Sequence, residues 1–179
     1  MMSEMNVHNE TLKRMISHLV EKEEILRDLL RFTVQQKEML NGEDHDLEVD
    51  AFNEVLAERG KLMERADHLD EAFLKEFSAL KTSLGVDSLD NLSSGVLDSS
   101  LVKDLQHHVK KVQELVTGLT QVDTENRHAM KEQMESLKTE INRVKQGKKA
   151  IHGYANTKRP QPSIFMDEKE KGFKNKQKK

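Results

Sequence analysis

The stretch LKRMISHLVEKEEILRDLLRFTVQQKEML, residues 12–40, repeats a mostly aliphatic position every seven residues. The repeat positions are Leu12, Leu19, Leu26, Thr33 and Leu40. Ile16 and Leu30 fill interleaved positions, and further apolar residues widen the face. Because an α-helix has 3.6 residues per turn, this spacing places the apolar side chains on one side. The pattern predicts a long amphipathic helix over about residues 5–40. Its apolar face is wide enough to pack against more than one partner.

Two further helices are predicted over about residues 47–84 and 98–151, each preceded by a segment rich in Gly, Asn, Asp or Ser. Asp98 or Ser99 is the predicted N-cap of the third helix. The predicted inner face of the second helix comprises Phe52, Leu56, Met63, Ala66, Phe73, Phe77, Leu80 and Leu84, with Val55, Leu62 and Leu69 alongside. The predicted inner face of the third comprises Leu101, Leu105, Val112, Leu115, Leu119 and Val122, then Asn126, Met130, Met134, Leu137, Ile141 and Val144.

These helices predict an all-α fold, an antiparallel up-down-up bundle of long, coiled-coil-like helices. We assign residues 1–151 to the bundle and residues 152–179 to an extended or disordered basic tail, because Pro160 and Pro162 prevent helix there. The third helix is the longest, so we expect it to overhang the bundle from about Met134. An apolar stripe without an intrachain partner is usually an interaction surface, either for a second copy of the chain or for a client protein.

The composition supports a thin bundle rather than a thick core. Hydrophobic residues make up 35% of the chain, aromatic residues 4% and charged residues 34%. The absence of cysteine excludes disulfides and thiolate metal sites. No stretch has the roughly 18 uncharged apolar residues that a membrane span needs, and the N-terminus does not resemble a signal peptide. We therefore expect a cytoplasmic protein without stable membrane insertion.

The charge is unevenly distributed. Residues 148–179 carry ten Lys and Arg against three acids, a net charge of +7, and the total of −3 leaves −10 for residues 1–147. A basic tail of this kind either binds nucleic acid or anionic membrane, or only keeps the chain soluble. Beyond the prolines and Phe165, the lysine-rich end of the tail contains a single aromatic residue, Phe173. In addition, the acidic body of the chain repels polyanions. The sequence therefore favours the solubilising role and no nucleic-acid partner.

The sequence offers no convincing metal site or cofactor site. DHDLEVD, residues 44–50, resembles the start of a calcium loop, but the required Gly and Glu positions are Val49 and Val55. Two acid-x-x-His pairs occur, Asp104/His107 and Glu125/His128. They lie 21 residues apart on one predicted helix, hence roughly 31 Å apart, and cannot share an ion. We interpret these histidines, with His108, as solvent-facing or interfacial. No nucleophile motif or phosphate-binding glycine loop is present, so no enzymatic activity is expected.

Three stretches together resemble a known family. They are LLRFTVQQKEML at 29–40, LAERGKLMERADHL at 56–69, and QVDTENRHAMKEQMESLKTEINRVKQGKKAIHGYA at 121–155. The most telling stretch is the last, an Asn-containing helix that runs into a glycine and is followed by Tyr154. This arrangement is similar to that of the FlgN-like flagellar export chaperones.

The resemblance implies a cytoplasmic chaperone that binds hook–filament junction (hook-associated) proteins and delivers them to the flagellar type III export gate. Members engage the client's C-terminal helical region through their own C-terminal part. By position, the implied client-binding residues are Met130, Met134, Leu137, Ile141, Val144 and Ile151. Tyr154 is the implied docking residue for an export-gate component. Ile164, Phe165 and Met166 are a further candidate linear motif, without a counterpart in the family. The alternative hypothesis is a homo-oligomeric coiled-coil scaffold, such as a homodimer, without a dedicated client.

Overall fold

The computed structural model describes residues 2–42, 48–88, 91–92 and 97–157. In these residues it contains three α-helices and no strand. They are α1 (Met2–Leu40), α2 (Val49–Leu84) and α3 (Ser99–Thr157). The predicted all-α class is therefore confirmed. The tail beyond Thr157, with Ile164, Phe165 and Met166, lies outside the described residues.

The third helix ends later than the sequence predicts. α3 continues to Thr157 rather than ending near Ile151, so Tyr154 lies within the helix and not after it. Gly153 does not stop the helix, because a glycine in a helix interior costs only about 1 kcal/mol relative to alanine.

The ends of α2 and α3 show how side chains and glycine satisfy the backbone. The amide of Ser100 donates to Asp98 Oδ1 at 2.8 Å, which confirms the predicted cap at Asp98. At the end of α2, Gly85 takes a left-handed conformation (φ 65°, ψ 32°), and its amide donates to the carbonyl of Lys81. Glycine tolerates this conformation because it has no Cβ.

Polar contacts between helices define the topology. His8 meets Ser83 near the start of α1, and Gln36 meets Arg59 near its end, so α1 and α2 are antiparallel. Asn9 Oδ1 accepts a hydrogen bond from the amide of Asp98, and the carbonyl of Thr33 accepts one from Asn126. α1 and α3 therefore run in the same direction. The predicted up-down-up bundle is confirmed.

The core is built from aliphatic side chains and methionine. Its buried apolar residues are Leu12, Met15, Leu19, Ile25, Leu26, Leu29, Leu62, Ala66, Leu80, Leu92, Val102, Leu105 and Val112. The prediction for α2 is wrong at two positions, since Leu56 and Met63 are exposed. Val55 and Leu62, which the sequence predicts alongside this face, are buried, and so is Arg59, which it does not predict there. Both series have a seven-residue spacing, so periodicity alone does not separate them.

The chain divides into two compact units, Met1–Glu132 and Gln133–Lys179. The first unit contains α1, α2 and the beginning of α3, together with the whole core cluster. The second unit contains the remainder of α3, described as far as Thr157. Among the described residues, no helix combines the length and the hydropathy needed to cross a membrane.

Candidate partner-binding surface

Five large apolar side chains of the second unit are exposed to solvent. They are Met134, Leu137, Ile141, Val144 and Ile151, each between 52% and 71% exposed, and we call them the exposed stripe. Their spacing of three, four, three and seven residues keeps them on one face of α3. A soluble helix normally buries such a face, so an exposed one is a candidate surface for a partner.

The middle of the exposed stripe forms a shallow groove with charged edges. Its walls are Leu137, Glu140, Ile141, Val144, Lys145 and Lys148. Leu137, Ile141 and Val144 supply the apolar floor, while Glu140 lies on one edge and Lys145 on the other. Apolar area favours association, and charges at the edge select the partner and its orientation. We therefore take the groove and its charged edges as the candidate binding surface.

Met130 differs from the rest of the predicted client-binding set. It belongs to the first unit and is half-buried. The side-chain amide of Gln36 on α1 lies 3.9 Å from its sulfur. Because a thioether sulfur accepts hydrogen bonds only weakly, this is mainly a packing contact between α1 and α3. The structure thus separates Met130 from the exposed stripe, which starts four residues later.

A polar layer joins the three helices. It is formed by the buried residues Thr33, Gln36, Arg59 and Asn126 and by the half-buried Asp123. The Arg59 guanidinium donates to Gln36 Oε1 on α1, and to Asp123 Oδ1 on α3 at 2.6 Å. Asn126, 1% exposed, donates from Nδ2 to the carbonyl of Thr33 at 2.9 Å. Arg59 Nε and Asn126 Oδ1 are buried without a hydrogen-bond partner in the part of the chain that is described. Such a layer aligns the helices, because any slip would leave more polar groups unpaired.

The sequence predicts Asn126 on the inner face of α3, but it does not predict Arg59 as a core residue. The spacing nevertheless indicates a core position, since Arg59 follows Val55 by four residues and precedes Leu62 by three, which places it on the same face of the helix. A buried arginine at such a position needs acceptors on neighbouring helices. Those acceptors come from Gln36 and Asp123, which are distant in sequence.

A second polar contact joins α1 to α3 closer to the middle of the first unit. Glu23 is only 3% exposed, and its Oε1 lies 2.5 Å from His108 Nδ1. Arg27 Nη2 donates to Glu23 Oε2 at 2.9 Å. Burial by itself raises the pKa of Glu23, but the hydrogen bond and charge of His108, with the charges of Lys111 and Arg27, outweigh it and lower the pKa. His108 is therefore an interfacial histidine.

Among the residues considered as metal ligands, Glu125 is paired with a lysine of α1. Glu125 Oε2 accepts a hydrogen bond from Lys37 Nζ at 2.5 Å, and this bond with the charge of Lys37 lowers the pKa of Glu125. Within the described part of the chain, no group of three or more His, Asp or Glu side chains is arranged to hold a metal ion. Residues 43–47, which include the start of the calcium-like stretch, are not described.

Tyr154 follows Ile151, the last member of the exposed stripe, by one turn of α3. Its backbone is helical, and the helix continues to Thr157. The tail motif Ile164, Phe165 and Met166 cannot be placed, since it lies outside the described residues. The candidate surface therefore consists of the exposed stripe and its charged edges.

Comparison with known proteins gives one match. A family model described as FlgN protein matches residues 2–162, a range that contains all three helices, the exposed stripe and Tyr154. The comparisons with curated proteins and with solved structures give no match.

Proposed function

The chain belongs to the FlgN family and is therefore a flagellar export chaperone, and we propose that it holds hook-associated junction proteins by their C-terminal helical region. In this proposal it acts in the cytoplasm, without enzymatic chemistry, and delivers its clients to the type III export gate. The observation that supports the proposal best is the exposed stripe of α3, five large apolar side chains on one helical face.

Client binding at the exposed stripe follows from the hydrophobic effect. Burying one large apolar side chain completely contributes about 1.5–3 kcal/mol, and the stripe offers five that are half or more exposed. Ordering a client segment on binding offsets part of this gain. The expected complex is tight enough to keep an aggregation-prone helix covered, yet weak enough to dissociate when another surface competes for it.

Delivery requires a second contact, which we assign to Tyr154. It lies one turn beyond Ile151 on the same helix, so a gate component that binds there would approach the end of the client-binding face. Competition at that end would release the client without a chemical step in the chaperone. The Ile164–Phe165–Met166 motif is proposed as an additional linear element for the same handover.

The test of client binding uses charge substitution in the exposed stripe. Met134→Glu or Ile141→Glu should abolish binding of the C-terminal segment of a hook-associated protein from the same organism, measured by isothermal calorimetry, without loss of helix content by circular dichroism. Both residues are more than half exposed, so the substitutions should leave the core intact. Leu74→Glu is the matched control, because Leu74 is an exposed apolar residue (61%) that belongs to α2 and not to the stripe.

Two results would count against the proposal. Unchanged client affinity in both stripe variants would show that the client binds elsewhere. Failure of the unmodified chain to bind the segment, together with a stable dimer in light scattering that Ile141→Glu dissociates, would instead support the homo-oligomeric scaffold. The gate contact is tested separately, since Tyr154→Ala should weaken binding to a gate component while leaving client affinity unchanged.

A further inference from the structure

We propose that the exposed stripe selects an amphipathic helix whose apolar face is bordered by acidic residues. This inference rests on the proposed function, because it specifies the chemistry of the client segment bound at that site. Two observations support the inference. The first is the set of lysines beside the stripe, and the second is the charge repulsion that a second copy of the chain would meet there.

The charges that border the exposed stripe are mostly positive. Lys145 and Lys148 line the groove, and Glu140 is the one acid among its walls. Lys138 precedes Lys145 by seven residues and therefore lies on the same edge of the helix. Lys148 follows Val144 by four residues and precedes Ile151 by three, which places it in line with the stripe itself. A partner lying on this face therefore meets three lysines and one glutamate.

Within the described residues, the fold does not use these lysines. In the part of the chain that is described, Lys138, Lys145 and Lys148 take part in no ion pair, whereas Lys22 and Lys37 pair across helices with Asp70 and Glu125. Positive charges beside an apolar groove that lack an internal partner attract and orient a segment of opposite charge. An acidic border on the client supplies that charge.

A second copy of this chain fits the stripe poorly. In an antiparallel pair, Met134 would face Ile151 and Ile141 would face Val144, but Lys138 of each copy would then approach Lys145 of the other. Like charges at such flanking positions oppose association. This Lys138–Lys145 contact occurs twice in a symmetric pair, so the repulsion is doubled.

A parallel pair is disfavoured for a different reason. It would bring Lys148 of each copy together inside the apolar seam, where two positive charges are desolvated without a counter-charge. The favourable contact between Glu140 and Lys145 in that arrangement lies at the exposed rim and contributes little. An acidic helix avoids both penalties, and we therefore assign it as the occupant.

The first test uses two synthetic helical peptides with the same leucine and isoleucine heptads. One peptide has Glu and the other has Lys at the positions that flank the apolar face. Fluorescence anisotropy with the full chain should give at least tenfold tighter binding of the Glu peptide, with affinity that falls as salt is added. Equal or tighter binding of the Lys peptide would overturn the inference, and so would the failure of both peptides to bind.

The second test uses a matched pair of charge reversals on α3. Lys145→Glu changes the edge of the groove, and Arg143→Glu makes the same change in charge two residues earlier, about 200° around the helix. Lys145→Glu should weaken binding of the Glu peptide by about three- to tenfold, and Arg143→Glu by less than about twofold. Equal losses of affinity in the two variants would mean that peptide binding depends only on the net charge of the chain and not on the position of Lys145. The lysine-rich tail is present in both variants and cannot account for a difference.

Repeating the measurements with the hook-associated C-terminal segment separates this inference from the proposed function. One outcome is that the segment binds the unmodified chain and the Lys145→Glu variant with equal affinity. In that case the inference of an acidic border on the client is wrong, while the chaperone proposal stands. If the segment fails to bind but the Glu peptide binds with the expected dependence on Lys145, the stripe selects acidic helices and the client assignment is wrong.

Discussion

An arginine occupies a core position of α2 where the surrounding pattern expects an aliphatic side chain. Arg59 is 9% exposed, and its guanidinium is held by Gln36 of α1 and Asp123 of α3. A buried guanidinium is stabilised only while its acceptors stay in place, because its desolvation is costly. At the scale of single residues, this side chain couples all three helices.

Replacing Arg59 should therefore destabilise the first unit. Arg59→Met keeps the aliphatic stem but leaves Gln36 and Asp123 without their donor, so we expect the free energy of unfolding to fall by about 2 kcal/mol. Arg65→Met is the control on the same helix, since Arg65 is 59% exposed and reaches Glu21 only at 3.6 Å. It should change the stability by less than about 0.5 kcal/mol in urea denaturation. Equal effects of the two substitutions would contradict the coupling role of Arg59.

The buried Glu23 should make part of the stability depend on pH. Its pKa is lowered on balance from its ordinary value, so its ionised form contributes stability above that ordinary pKa, and this contribution is lost as the pH falls through the lowered pKa. Glu23→Gln removes the charged partner of His108 and should cost about 1–2 kcal/mol at neutral pH.

The measurement compares urea unfolding of Glu23→Gln and the unmodified chain from pH 7 down to pH 3. The difference between them should shrink below pH 4.5 if the carboxylate is responsible. Glu24→Gln removes the same charge from an exposed neighbouring position and controls for net charge. A difference that stays constant over the whole range would show that Glu23 contributes through packing rather than ionisation.

At the scale of helices, glycines have opposite roles according to their backbone conformation. Gly60 lies inside α2, and a Cβ added there would meet no atom within 4 Å. Gly85 ends α2 with a positive φ of 65°, where an L-residue is strained even though the surrounding space is open. The conformation, and not the available volume, decides the effect of a methyl group at these two sites.

Alanine substitution at these two glycines should therefore have effects of opposite sign. Gly60→Ala should raise the free energy of unfolding by about 0.5–1 kcal/mol, because alanine is the better helix former and loses less entropy on folding. Gly85→Ala should lower it by about 1 kcal/mol through strain in the left-handed region. Thermal and urea denaturation of both variants measures the sign of each change in the free energy of unfolding. A stabilising effect of Gly85→Ala would contradict the left-handed conformation of Gly85 at the end of α2.

At the scale of the whole molecule, the two units differ in what they bury. The first unit, Met1–Glu132, contains the complete core cluster, which spans Leu12 to Leu119 when its partly buried members are included. Among the described residues of the second unit, from Gln133, the large apolar side chains of the exposed stripe are open to solvent. Stability and client binding are therefore expected to depend on different parts of the chain.

Truncation should separate the two properties. A chain ending at Glu132 loses the exposed stripe but keeps the core, so its free energy of unfolding should stay within about 0.5 kcal/mol of that of the full chain. Its binding to the hook-associated segment should be lost. Urea denaturation and calorimetry test the two statements independently. A large loss of stability would show that residues after 132 support the first unit, and retained binding would place the client site within it.

The amino-acid sequence by itself determined the helical class, the number of helices in the described residues and the onset of the exposed stripe. These features depend on local spacing, because a repeat of apolar residues at helical intervals specifies one face of a helix. The cap at Asp98 also follows from local chemistry, since its carboxylate reaches the amide of Ser100 two residues away.

Only the tertiary structure decided which of two equally spaced series on α2 faces the core. Val55 and Leu62 are buried while Leu56 and Met63 are exposed, because the neighbouring helices set the rotation of α2 and its own periodicity does not. The same holds for the pairing of Glu23 with His108, which joins residues 85 positions apart. Such contacts depend on how separate helices pack against each other, and a repeat within one helix contains no information about its partner.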